Sequence, residues 1–251
     1  MGPAVAPCSP VEAARAGRLV LITVSDDAIR GVCGELAGAG ALGEGAVVAH
    51  CCGALGSEVL AAAREQCGCR VASMHPLQTF PTASAAVGRL PGAFFFCEGD
   101  GEALEVVEAF VGCIGGKAVR ITASGEAGKQ LYHASAVMAC NYLSAMIDSA
   151  VELMGRAGVD GKTALTALGP LVRATVDNVL AMGPADALTG PIARGDVQTV
   201  QRHLAALDAA GALGELPGLY RAAGRQTVAL ALRKGTIDPP TAARLLGLLA
   251  G

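Results

Sequence analysis

The sequence predicts an α/β protein: an incomplete Rossmann-type parallel sheet over residues 1–124, followed by an all-helical domain over 125–251. Three observations carry that reading. In the first half, short apolar runs rich in β-branched residues alternate with helix-like stretches. The alternation stops near Ser124. Beyond it the apolar residues keep a helical period.

The elements justify themselves in order. Residues 19–24 (L-V-L-I-T-V) form a continuous apolar run, as a strand buried on both faces of a parallel sheet reads. Ser25, Asp26 and Asp27 then suit the start of a helix running to about residue 37, because their side chains accept from free first-turn N–H groups. Residues 46–51 read as the next strand and 55–65 as a helix. Further strands are expected at 71–74, 93–97 and 118–121, with a helix at 102–113. This spacing predicts right-handed crossovers and a mostly parallel sheet. Residues 126–158 hold no internal breaker and predict one helix of about 30 residues, or about 45 Å. Helices are expected at 162–182, 197–209, 216–234 and 240–249, with the domain boundary near 123–128.

Composition bounds the function. The chain has 251 residues, 52% of them hydrophobic and 16% charged, which excludes a disordered or solvated linker protein. Aromatics are 3%, so the core must be packed with Ala, Val and Leu. A net charge of -3 without any basic run argues against nucleic acid as a partner, since phosphate binding needs clustered positive charge. No apolar run reaches the ~18 residues of a membrane span. Residues 1–10 lack the basic start of a signal peptide, so a cytoplasmic protein is expected. The nine cysteines show no C-x-x-C spacing and read as thiols in a reducing compartment. Cys67 and Cys69 with His50 and His75 match no common zinc spacing, so no metal is expected.

Gly38, Gly40 and Gly43 spell G-x-G-x-x-G, the dinucleotide fingerprint, but in the wrong context. The fingerprint works where a strand delivers the chain to a helix N-terminus, whose free N–H groups hold a pyrophosphate. Here a helix precedes the glycines and a strand follows. Gly115-Gly116-Lys117 likewise fails as a P-loop. The expected domain therefore lacks its first βαβ unit. Ligands of parallel sheets bind outside the carboxyl ends of the strands. Ser25, Asp26, Asp27, His50, Gly53, His75 and Pro76 all fall there, and the proline holds His75 extended. On the long predicted helix, Asn141, Ser144 and Asp148 form one polar stripe, with His133 about 80° around the axis from Asn141.

Five segments, taken together, carry a resemblance: L-V-L-I-T-V-S-D-D-A-I (19–29), H-C-C-G-A-L (50–55), S-M-H-P-L-Q-T-F-P (73–81), Y-H-A-S-A-V-M-A-C-N-Y-L (132–143) and L-T-G-P-I-A-R-G-D (188–196). In this order the chain resembles the Rossmann-like proteins with a helical C-terminal domain of unknown function, named as NADP oxidoreductases. That family looks related to pyrroline-5-carboxylate reductase and to 3-hydroxyisobutyrate and 6-phosphogluconate dehydrogenases. Against it, the start of the domain is missing and Cys52 stands where a serine is expected. The resemblance implies NADP or NAD as cofactor, met by Val24, Ser25, Asp26, Asp27, His50 and Gly53. It also implies His133 as proton donor or relay, Asn141 orienting the substrate, and His75 beside them. Histidine suits proton transfer because imidazole titrates near working pH. Pro76, Gln78, Thr189, Gly190 and Arg194 are the expected substrate contacts, Arg194 as a carboxylate clamp, while Asp196 caps the following helix.

The leading expectation is an oxidoreductase acting on a small carbonyl, imine or hydroxy-acid substrate, with a homodimer formed through the helical domain. The alternative is a non-catalytic dimeric binding or scaffold protein derived from such a dehydrogenase. A third idea, a metal-dependent hydrolase, rests on the cysteines and histidines alone.

Overall fold

The computed structural model describes residues 8–122 and 126–251. All five expected strands form: β1 (Leu19–Ile22), β2 (Val47–His50), β3 (Arg70–Pro76), β4 (Phe94–Gly99) and β5 (Lys117–Arg120). They make one sheet in the order β1-β2-β3-β4-β5. β1, β2 and β3 run parallel, with Ile22 beside His50 and His50 beside Ser73. β4 and β5 are parallel to each other.

One pairing departs from the expected crossovers: β3 and β4 are antiparallel, with His75 opposite Phe96 and Pro76 opposite Phe95. The helix between them, α4 (Ala83–Arg89), has seven residues and rises only about 10 Å. The connection brings the chain back to the end of β3 at which it left, with Leu77 N–H donating to the Phe94 carbonyl, so β4 sets out in reverse. At the far end of this pair a Cβ on Gly99 would collide with the Val71 carbonyl, and φ there is +141°, so only glycine fits.

Short helices α1 (Pro10–Ala16), α2 (Ile29–Gly38) and α3 (Ala61–Cys67) and the longer α5 (Gly101–Cys113) complete this part of the fold. Alternation along the strands splits the core in two. Val48 and Val71 join Ile22, Ile29, Cys33, Leu36 and Leu60 on one face. Val47, Ala49, Ala72 and Met74 join Phe95, Val107 and Val111 on the other. α1, absent from the sequence reading, is closed by a capping box in which Ser9 and Glu12 bond each other's backbone N–H.

The single helix expected over 126–158 is two: α6 (Glu126–Ala139) and α7 (Asn141–Arg156), separated at Cys140. Cysteine and asparagine, adjacent at 140 and 141, are both weak helix formers, and asparagine competes for backbone hydrogen bonds. The chain divides into two compact units, Met1–Leu143 and Ser144–Gly251. α6 therefore packs with the sheet, whereas the boundary was expected near 123–128. Residues 123–125 of that expected boundary lie outside the described residues.

The second unit holds α8 (Gly161–Met182), α9 (Val197–Ala209), α10 (Leu216–Lys234) and α11 (Pro239–Leu248). Its core gathers Val200, Leu204, Val228, Ala231, Leu245 and Leu249. Asp160, Asp196 and Asp238 cap α8, α9 and α11 by accepting from the N–H groups of Thr163, Thr199 and Thr241. No helix is long and apolar enough to cross a membrane among the described residues.

Candidate functional site

Because β1, β2 and β3 are parallel, their carboxyl ends gather along one edge of the sheet, and α6 lies against it. Four side chains expected at the site, His75, Gln78, His133 and Asn141, line one cavity of about 580 Å³ there, together with Leu77, Phe80 and Cys140. The imidazoles of His75 and His133 stand edge to face with centroids 6.0 Å apart. Gly53 explains how they approach so closely. A Cβ at that position would sit 2.5 Å from His133 Cδ2 and 2.8 Å from His75 Nε2. The absence of a side chain at the end of β2 makes room for both rings.

Behind the histidines lies a polar cluster that sequence reasoning missed. Lys129 on α6 is buried, 2% exposed, and its Nζ donates to Ser73 Oγ at 2.7 Å. Ser73 Oγ in turn contacts the Cys52 carbonyl at 3.4 Å. Lys129 Nζ also lies 5.6 Å from the centre of the Tyr132 ring. Burial pulls the Lys129 pKa down, and Glu98 opposes that pull. Glu98 itself is fixed by Ser57, whose N–H and hydroxyl donate to it at 2.7 and 2.9 Å. A signal was present in the sequence. Lys129, Tyr132 and His133 are spaced i, i+3, i+4, so they share one helix face.

His75 Nδ1 bonds the Tyr132 hydroxyl at 2.7 Å. Burial first, then the Lys129 cation and His133, push the His75 pKa down to about 4. Burial pushes Tyr132 up to about 12. At neutral pH both groups are uncharged. With Tyr132 donating, His75 Nε2 carries the hydrogen and faces Gly53.

The expected cofactor contacts separate into two sets. Val24, Ser25, Asp26 and Asp27 are exposed on the loop after β1. Asp26 and Asp27 open a 3-10 turn, and a hydrogen bond from Ser25 holds the Asp27 carboxyl below its usual range. His50 is fully buried, and both its nitrogens are engaged. Nδ1 accepts the Cys52 N–H at 3.1 Å, which leaves Nε2–H to donate to the Gly56 carbonyl at 3.1 Å. It ties down the loop that carries Gly53 and has no nitrogen left for a ligand. Cys52 does what a hydroxyl there would do. Its sulfur accepts the N–H groups of Ala54 and Leu55, each at 3.3 Å, and bonds the Asp26 carboxyl.

Pro76 ends β3 at the edge of the site. Thr189, Gly190 and Arg194 belong to the second unit, where Gly190 turns at φ +96° and Arg194 ends a 3-10 turn. Gly38, Gly40 and Gly43 precede β2, at the opposite end of that strand from His50, so they are a connection rather than a ligand cradle. Among the described residues no cluster of three His, Cys, Asp or Glu groups is placed to hold a metal.

Residues 93–227, more than half the chain, match the family described as a domain of unknown function (DUF2520). Residues 3–76 match a Rossmann-like domain. No curated protein matches the sequence. Among solved structures the chain is similar to protein TM1727 from Thermotoga maritima, with 27% identity and a TM-score of 0.70 over 86% of this chain and 79% of that one. It shares its fold with BF3122 from Bacteroides fragilis, provisionally named an NADP oxidoreductase, at 21% identity and a TM-score of 0.64 over 84% and 75%. The same holds for pyrroline carboxylate reductase from Plasmodium falciparum, solved with NADP bound, at 14% identity and a TM-score of 0.52 over 96% and 81%.

Proposed function

Since the chain belongs to the DUF2520 family and carries a Rossmann-like domain ahead of it, we propose that it is an oxidoreductase moving hydride between NADP or NAD and a small carbonyl, imine or hydroxy-acid substrate. One observation carries the reading: His75, His133 and Asn141 line a single cavity at the carboxyl edge of the parallel strands, with a buried lysine behind them. The names of the fold neighbours, an NADP oxidoreductase and a reductase of a cyclic imine, support the reaction class.

The residues fit the nicotinamide end of such a cofactor. The exposed residues Val24, Ser25, Asp26 and Asp27 border the strand ends where a flat ring and its ribose would rest, and Gly53 seats the two imidazoles beside them. A bound nicotinamide would supply or accept the hydride. The chain's own groups do the rest. Asn141 offers an amide N–H to the substrate oxygen or nitrogen and turns the reacting carbon toward the cofactor side. His133 gives a proton to that oxygen or nitrogen as negative charge builds on it, and takes one in the reverse direction. His75 stays neutral, is held by Tyr132, and fixes the orientation of His133 through their edge-to-face contact. Lys129, pulled below the ordinary lysine range by burial, stands behind the histidines and holds Ser73.

Titration with NADPH tests the proposal. The chain has no tryptophan, so nicotinamide emission is read without overlap from indole. Saturable enhancement that weakens in Gly53→Val, where branched carbons would enter the space of both rings, is the expected result. No change in emission at any protein concentration would refute the redox reading and favour a binding module on the same fold.

A further inference from the structure

Wholly within the second unit, the end of α7, one face of α9 and Tyr220 of α10 line a cavity of about 460 Å³. From α7 and the residue after it come Leu153, Arg156 and Ala157, spaced i, i+3, i+4. From α9 and the residue after it come His203, Ala206, Leu207 and Ala210, spaced i, i+3, i+4, i+7. Alanines at 157, 206 and 210 leave room where larger side chains would fill the space. Leu207 is buried, and Leu153, Ala210 and Tyr220 are half-buried and packed with Leu213 and Leu216. Arg156, Ala157, His203 and Ala206 are exposed. An apolar floor therefore lies beneath a polar rim.

The rim offers donors. Arg156 Nη2 donates to the Ala212 carbonyl at 3.0 Å and contacts Glu152 at 3.5 Å, which leaves its Nε and Nη1 hydrogens for a ligand. The Glu152 pairing joins side chains that are 46% and 47% exposed, so solvent weakens it and a competing carboxylate can displace it. His203 Nδ1 bonds the Tyr220 hydroxyl at 2.8 Å. Burial raises the Tyr220 pKa, so that hydroxyl keeps its hydrogen. If the hydroxyl donates to Nδ1, Nε2 carries an N–H. If Nδ1–H donates, the hydroxyl hydrogen is free. In either tautomer the pair has one donor to spare.

We infer that this cavity binds a small amphipathic carboxylate, its apolar body against Leu153 and Leu207 and its charged head held by Arg156 and the His203–Tyr220 pair. The volume falls within the roughly 300–1,000 Å³ of small-molecule sites, which combine apolar walls with a few convergent polar groups. The rim selects the head. A cation would meet the Arg156 guanidinium, and a wholly apolar ligand would leave the donors unused. An acceptor that carries negative charge suits both the guanidinium and the spare N–H or O–H. No carboxylate among the described residues lines the cavity to oppose it. The lining shares no residue with the histidine cavity of the first unit, so occupancy of the two can be told apart.

Calorimetric titration of the full chain with octanoate tests the inference, with octanamide as the uncharged probe of equal length. A dissociation constant of about 0.1–1 mM is expected for a ligand of about ten non-hydrogen atoms. Octanamide should bind at least roughly tenfold more weakly, because it lacks the charge that Arg156 meets. In NMR spectra octanoate should move the His203 imidazole signals and leave those of His75 and His133 in place. Ala206→Leu keeps every charge and fills the opening, so it should abolish binding, whereas Arg156→Gln should weaken it by about tenfold. Absence of binding up to about 10 mM octanoate, equal affinity for octanamide, or shifts at His75 and His133 without His203 would each overturn the inference. So would wild-type affinity in both variants. Should either variant fail to fold, the two probes and the histidine signals of the wild type decide the matter.

Discussion

Gly53→Ala isolates the crowding on which the site depends. The new Cβ would stand 2.5 Å from His133 Cδ2, and 2.8 and 3.0 Å from His75 Nε2 and Cδ2. Carbon atoms rest at about 3.5–4.0 Å, so each ring must retreat by up to roughly 1 Å. His75 cannot do this freely, because its Nδ1 is held at 2.7 Å by Tyr132. Displacing it by that amount takes the bond beyond hydrogen-bonding range. Overpacking costs about 1–3 kcal/mol and the strained bond about 0.5–1.5 kcal/mol, for a total on the order of 2–4 kcal/mol. At roughly 2–4 °C per kcal/mol for a chain this long, the unfolding midpoint should fall by about 5–10 °C. Gly31→Ala is the matched control. Gly31 lies in α2, and a Cβ there meets nothing within 4 Å, so alanine should add about 0.5–1 kcal/mol through helix propensity. Thermal and urea unfolding give the stabilities. The chain has four histidines, few enough for each imidazole to be followed by NMR. Displaced His75 and His133 signals with loss of stability are expected. A Gly53→Ala protein as stable as wild type, with both signals in place, would show that the rings are not packed on Gly53 and would refute the geometry.

The charge balance of the site yields further expectations. His75, held down to about 4 by burial and by the Lys129 cation, should titrate far below the ordinary imidazole range. Its folded pKa is lower than its unfolded one, so the unfolded chain binds the extra proton as pH falls below about 6.5. Stability should therefore decline from there towards pH 4, by at most about 3 kcal/mol; a His75 midpoint near 6.5 by NMR would contradict this. Lys129→Met keeps the shape and removes the charge. His75 should then titrate at higher pH, still depressed because burial is the larger cause, while stability changes by no more than about 1–2 kcal/mol. An unmoved His75 midpoint would separate the two groups. Asp196→Ala should loosen the start of α9, seen as faster amide exchange of Thr199, whereas Asp196→Asn should retain the cap; Thr199 donates to this carboxylate through both its N–H and its hydroxyl. Those bonds hold the Asp196 pKa down, so the contribution is present above the ordinary carboxylate range and is lost as pH falls through the folded value.

Two residues of the loop after β2 show how a local substitution is absorbed. Cys52, in the place of an expected serine, still gathers two backbone N–H groups and reaches Asp26. Sulfur is a weaker acceptor than oxygen, but its larger radius spans the 3.3 Å contacts. His50, expected to meet a cofactor, clamps the same loop from within. The loop's shape thus presents Gly53, and through it the histidine pair, to the cavity.

Local features could be read directly from the order of residues. Five apolar runs became five strands, and the helices at 197–209 and 216–234 were legible to the residue, because alternation, caps and breakers act within a few positions of each other. The aspartate cap of α9, Asp196, belongs to the same class. The remainder came from contacts made in three dimensions. The reversal of β4 is written only in its pairing with β3, where His75 meets Phe96 and Pro76 meets Phe95. Lys129 was an ordinary helix lysine until Ser73, 56 positions away, closed over it. His75 and His133 became one site because Gly53 lacks a side chain. Such contacts join residues distant in sequence, and their energies depend on burial and distance, neither of which a linear pattern records.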